Sequence, residues 1–214
     1  MTKKIIIGLG IVIVVAAAVL GSLYFINRAP VTSDSNKPTA QFDNSKDYGA
    51  CTLVDRALIG KALGDVAATL QQPQSTGIVS NKSIGDNVKN VASDSQTCIY
   101  AFKPGGSADN GFNANDAFVV QVTSYSSDSD TKSVIEQIKL DGTISALNVG
   151  DSTAFYSSNT VSQGPGATYH FKLIIIKGTK QYALSINQPA GSGSVAADAA
   201  KTALYEIASS ISLP

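Results

Sequence analysis

His170, the pair Cys51 and Cys98, the Asp128-Ser129-Asp130 run and two glutamates, Glu136 and Glu206, are the residues of this 214-residue chain whose types could do chemistry. His170 is the only histidine and sits between Tyr169 and Phe171 in an apolar, strand-like stretch. A Ser-His-Asp relay needs a strained serine elbow, and no Gly-x-Ser-x-Gly occurs. His170 therefore reads as a strand-face residue. Asp128 and Asp130 alternate like the first ligands of a calcium loop, but the alternation breaks at Lys132. The run reads as a surface turn capping a helix at Thr131. One histidine and two cysteines cannot supply a usual zinc set. Glu136 and Glu206 fall on predicted helix surfaces and form no acid/base pair. Gly105-Gly106 and Gly164-Pro165-Gly166 do not join a strand to a helix as a phosphate loop requires, and read as turns. Asn81-Lys82-Ser83 has the form of a glycosylation sequon and is read as chance. These residues predict no catalytic, metal-binding or cofactor-binding group.

The elements that must position these residues begin with a membrane segment. Ile5 to Ile26 is a run of 22 uncharged, mostly apolar residues, with Lys3 and Lys4 before it and Arg28 after it. As a helix it would span about 33 Å, enough for a hydrocarbon core of about 30 Å. The excess of positive charge at the N-terminal flank predicts a cytoplasmic N-terminus and an exported remainder. A cleaved signal peptide is the competing reading, but Ala16 to Ala18 lie inside the apolar run and five larger apolar residues follow. Cys51 is far from Ile26, so a lipid-modified cysteine is not expected. The early glutamate of a pilin helix is missing, because no acidic residue precedes Asp34.

The expected organisation is a cytoplasmic tip and signal-anchor helix over residues 1–27, a disordered linker over 28–48, and one extracytoplasmic domain over 49–214. The linker is polar and rich in Pro, Ser and Asn. The two cysteines of the exported part predict a Cys51–Cys98 disulfide, since an oxidising compartment permits it. Closing that loop stabilises by about 4 kcal/mol in the chain-entropy model. Formal charge is balanced at 16 basic and 16 acidic residues, but three of the basic ones lie at or before Arg28. The exported part is thus slightly acidic with scattered lysines, which excludes a nucleic-acid partner.

Within that part, Thr52 with Asp55 resembles a capping box, and Leu53, Ala57, Leu58, Ala62 and Leu63 give a helical face stopped at Gly64. Residues 71–96 read as a long polar loop with one short strand around Ile78. Strands are predicted over 98–103 and 117–125, a helix through Val134, Ile135 and Ile138 to Leu140, and a strand over 153–157. A hairpin over 169–177 and 180–187 turns at Gly178-Thr179, with type II′ chemistry. Ala200, Leu204, Ile207 and Ile211 line a last helix capped by Ser194. The fold class expected is α+β: a transmembrane helix, then an antiparallel sheet packed against helices in the order α-β-β-α-β-β-β-α.

Four motifs fall in a recognisable order. They are Cys51-Thr52-Leu53 opening a helix that ends at Leu63-Gly64, Cys98-Ile99-Tyr100 starting a strand, the turn Val149-Gly150-Asp151-Ser152-Thr153-Ala154, and the Lys177-Gly178 hairpin. Together they resemble a family of envelope lipoproteins of unknown function best known from actinobacteria, whose members look like extracytoplasmic α/β sandwiches with a PsbP-like fold. The resemblance implies that fold and a cell-envelope address, and carries no catalytic residues. The chain departs from the family in its membrane helix. The function expected is non-enzymatic binding of an envelope protein or wall ligand by the loops 71–96, 104–115 and 160–167, with the bilayer a partner through residues 5–26. The rival readings are a wall-polymer hydrolase and a structural spacer.

Overall fold

The computed structural model describes residues 42–43, 46–81, 91–103, 116–141, 144–163, 166–191 and 193–214. In chain order its elements are β1 (Phe42–Asp43), α1 (Arg56–Leu63), β2 (Gln74–Ser75), β3 (Ile78–Asn81), β4 (Ser93–Ala101), β5 (Ala117–Tyr125), α2 (Asp128–Leu140), β6 (Ser145–Val149), β7 (Ser152–Gln163), β8 (Gly166–Lys177), β9 (Lys180–Pro189) and α3 (Ala197–Ser210). The fold is α+β. All nine strands join one antiparallel sheet in the order β1-β3-β4-β5-β9-β8-β7-β6, with β2 also paired to β4. The predicted order α-β-β-α-β-β-β-α is recovered by α1, β4, β5, α2, β7, β8, β9 and α3, and the sheet is extended by β1, β2, β3 and β6. The stretch 5–26 lies outside the described residues, among which no helix is long and apolar enough to cross a membrane.

Period-two alternation sorts the strands' side chains between two faces. Phe118, Val120 and Val122 of β5, Phe171, Leu173 and Ile175 of β8, and Tyr182, Leu184 and Ile186 of β9 point to one face and form the main core. α1 contributes Ile59 and Leu63, and α3 contributes Ala200, Ala203, Leu204, Ile207 and Ala208. The alanines let the α3 backbone sit close to the sheet. On the opposite face, α2 and the residue Ile144 after it pack Ile135, Ile138 and Ile144 onto Phe155, Ile174, Ile176 and Ala183. The antiparallel sheet therefore packs against helices on both sides, α1 and α3 on one and α2 on the other.

The turns follow local chemistry. Gly178 has φ of 58°, and no non-glycine residue among those described has positive φ. Positive φ at the first central position alone is the type II′ hairpin expected for Gly178-Thr179. Gly150, also at 58°, makes the same two-residue connection between β6 and β7.

Four expectations are corrected. α1 begins at Arg56, because Asp55 is its N-cap and accepts from the Ala57 amide at 2.6 Å. Ser194 does not cap α3: the cap is Ala196, and Ser194 Oγ donates to the Gly191 carbonyl at 2.7 Å. The entry to α3 is held by Gln188 instead, whose amide accepts from Val195 N at 3.0 Å and donates to Val195 O at 2.8 Å. Residues 71–96 are not one loop, since β2, β3 and the first half of β4 fall there. Residues 160–163 and 166–167 are paired strand, with Gln163 opposite Gly166.

β4 also fastens the chain that enters the domain. Asp94 accepts from Tyr48 OH at 3.0 Å and pairs with Lys46 at 3.3 Å. Gln96, 7% exposed, accepts from the amides of Tyr48 at 3.0 Å and Ala50 at 3.2 Å. Cys98 is bonded to Cys51, with Cα atoms 5.0 Å apart. Tyr100 OH reaches the carbonyls of Cys51 at 3.0 Å and Val54 at 2.9 Å. Together with the β1–β3 pairing, these contacts bring Phe42, Asp43 and residues 46–48 onto the sheet. Replacing Gln96 with Ala strands two amides under the incoming chain, and urea unfolding is expected to show a loss of about 2 to 3 kcal/mol. An unchanged midpoint would refute the role assigned to Gln96.

Candidate functional site

Register defines a polar cluster on the sheet beyond the residues packed under α2. Residues directly opposite on paired strands share a face. One row across this face runs Ile99, Val119, Ser185, Lys172 and Ser157 through β4, β5, β9, β8 and β7. The next row runs Ala101, Ala117, Asn187, His170 and Asn159. Both rows lie beyond Ile174 and Ile176, the β8 residues under α2. His170, Lys172, Ser157, Ser185 and Asn187 are each half-buried, and Asn159 is exposed.

His170 Nδ1 lies 3.0 Å from Asn187 Oδ1 and donates its N–H to that amide oxygen. Burial of the ring holds the His170 pKa below the ordinary value; the bond to Asn187 opposes this and the nearby Lys172 charge adds to it. At neutral pH the ring is uncharged. Lys172 keeps partial access to solvent, yet the loss of hydration in the dense middle of the sheet pulls its pKa down as well. The ion pairs among the described residues join Lys46 to Asp94, Lys61 to Glu206 and Lys103 to Asp116. Lys172 is in none of them.

The other chemistry-bearing residues are placed apart. Cys51 and Cys98 form the disulfide under the entering chain. Asp128 and Asp130 occupy the first turn of α2, where Ser127 is the N-cap and its hydroxyl accepts from Asp130 N at 3.2 Å. Hydroxyl bonds from Ser126 and Ser127 hold the Asp130 carboxyl below the usual range. The predicted cap, Thr131, is instead 4% exposed, with its hydroxyl on the Ser127 carbonyl. Glu136 is exposed on α2, and Glu206 is exposed on α3 beside Lys61. Among the described residues, no group of three or more His, Cys, Asp or Glu is placed to hold a metal. Gly105-Gly106, the loop 104–115, and Gly164-Pro165 lie outside the described residues. Sequence reading missed Lys172, Ser157 and Ser185. The signal available was a lysine in the middle of an apolar strand, at a position whose neighbours at i+2 and i+4 are Ile174 and Ile176.

No protein family and no curated protein matches this chain. Among solved structures, the X-ray structure of an uncharacterized protein from Mycobacterium smegmatis aligns over 74% of this chain and 100% of that one, at 9% identity and a TM-score of 0.28. A likeness of that size carries no argument about fold or function.

Two outcomes follow from the charge state of the site. His170 resists protonation in the folded state, so the unfolded chain binds the extra proton first and stability falls as pH drops below the ordinary histidine value of about 6.5. Between about pH 7 and pH 5 the melting temperature of His170→Gln is expected to fall less than that of the parent; parallel curves would refute this. Lys172→Met removes an unpaired, desolvated ammonium while keeping most of its volume, and is expected to stabilise by about 1 kcal/mol in urea unfolding. Destabilisation would show that the ammonium has a partner that stabilises it.

Proposed function

We propose that this chain is a membrane-anchored, extracytoplasmic binding domain, and that it uses the His170–Lys172 half of the sheet to contact an envelope protein or wall ligand. The observation that carries the reading is the asymmetry of the two faces. One face packs against α1 and α3 in the main core, whereas among the described helices the other meets α2 at its Ile174–Ile176 end. Beyond that end the rows carry hydroxyls, amides, a histidine and a lysine on β7, β8 and β9, the kind of scaffold on which polar recognition groups keep their geometry, and continue on β4 and β5 as an apolar cluster of Ile99, Ala117 and Val119.

The address rests on residues 5–26 and on the disulfide. A Cys51–Cys98 bond fits an oxidising compartment, and the resemblance to envelope lipoproteins points the same way. The hydrolase reading gains less support. The ring partner of His170 is an amide, an arrangement known beside a catalytic thiol, and both thiols here are joined to each other. No serine or threonine hydroxyl among the described residues bonds to His170.

Photo-crosslinking in intact cells tests the reading. A crosslinker at exposed Asn159 is expected to give discrete adducts with an envelope component, and one at Tyr205 on α3 is expected to give none. Equal labelling from both positions, or none from Asn159, would count against the proposed surface.

A further inference from the structure

Counting charge over the strand positions of the His170–Lys172 face leads to a ligand class. The strand positions on the His170–Lys172 side are, from β4, Ser93, Ser95, Thr97, Ile99 and Ala101; from β5, Ala117, Val119, Gln121, Thr123 and Tyr125. Those of β9 are Gln181, Ala183, Ser185, Asn187 and Pro189, and those of β7 run through Thr153, Phe155, Ser157 and Asn159. No Asp or Glu occurs at any of them, and Lys172 is the sole cation apart from the titratable His170 ring. Lys46, Lys61 and Lys103 each have a carboxylate within 4 Å, Lys177 donates to the Leu213 carbonyl, and Lys201 lies over the Tyr156 ring. Lys172 combines a central sheet position with no ion pair among the described residues.

We propose that Lys172, with the hydroxyls of Ser157 and Ser185 directly beside it, binds the carboxylate of a small ligand. The reading rests on the same face as the proposed function and gives it a chemistry. Ser157 and Ser185 sit opposite Lys172 on the two strands flanking β8, about 4.8 Å away on either side, so one ammonium and two hydroxyl donors share one row of the same face. A single lysine balances a single negative charge, and hydrogen bonds to a charged group are the strong ones. Beyond Ser185 in the same row, half-buried Val119 offers an apolar contact to an aliphatic part of the ligand. The neutral His170–Asn187 pair in the adjacent row adds polar contacts without a second fixed charge.

Calorimetric titration of the full chain in detergent, with sodium butyrate as probe, sodium phosphate as comparison anion and ionic strength matched with chloride, tests the site. Saturable butyrate binding is expected, weakened about tenfold or more in Lys172→Met and in Ser157→Ala/Ser185→Ala, and unchanged in Lys139→Met on the exposed side of α2. Phosphate saturating where butyrate does not would overturn the carboxylate assignment. Saturation by neither anion, or affinity unchanged in Lys172→Met, would overturn the site itself. The Asn159 crosslinks are read separately, so a partner captured there without anion binding would sink this inference and leave the contact surface standing.

Discussion

The ladder of four side chains on β4 that grips the entering chain is the constraint on which the rest of this fold depends. Asp94, Gln96, Cys98 and Tyr100 alternate along one strand and so project from one face. They take hold, in order, of Lys46 and Tyr48, of the Tyr48 and Ala50 amides, of Cys51, and of the Cys51 and Val54 carbonyls. The entering chain has no partner strand at 46–54 for these backbone groups, and a buried amide without a partner costs about 1 to 3 kcal/mol. The grip satisfies them with side chains instead. It also sets the start of α1, which follows at Arg56 and places Ile59 and Leu63 over the sheet.

A second consequence concerns which face is left for recognition. With α1 and α3 committed to the Leu173–Ile175 side, the helix that the described residues place on the sheet's other face is α2, whose apolar contacts come from Ile135 and Ile138. Two isoleucines, with Ile144 after the helix, cover one end of a wide sheet. On the remaining rows β4 and β5 carry the apolar cluster of Ile99, Ala117 and Val119, and β7, β8 and β9 carry Ser, Asn, His and Lys. Solubility alone asks only for polarity. It does not ask for an ammonium in the middle of the sheet that pairs with no carboxylate among the described residues, and that is the feature a ligand would explain.

Legibility in the sequence followed burial. The β8–β9 hairpin, β5, α2 and the sheet's antiparallel character were readable because their apolar residues recur at period two or along one helical face, with glycines at the turns. The first half of β4 was not, because Ser93, Asp94, Ser95 and Gln96 look like loop. Ser93, Ser95 and Gln96 are nonetheless buried: β3 pairs alongside Ser93 and Ser95, and the entering chain bonds to Gln96. The outer half of β7, from Ser158 on, was missed for a related reason: it pairs along its length with β8, and a partner strand can hold polar residues extended that have no preference of their own. At the site, His170 was visible as a lone histidine in a strand. Lys172 was not, because only the register reveals which serines flank it.

The same register argument bears on how specific such a site could be. On a loop, a lysine and two serines would sample many arrangements, and binding would cost the entropy of ordering them. On three adjacent strands of a continuous sheet, their Cα positions are fixed by backbone hydrogen bonds, and the remaining freedom is side-chain rotation. A shift of one residue between β7 and β8 would carry Ser157 to the helix-covered face and put Ser158 beside Lys172. That slip is opposed by Ala154 and Tyr156 in the main core and by Phe155 under α2. Apolar packing at one end of β7 thus fixes the polar geometry at the other, which ties the recognition surface to the core through a single strand.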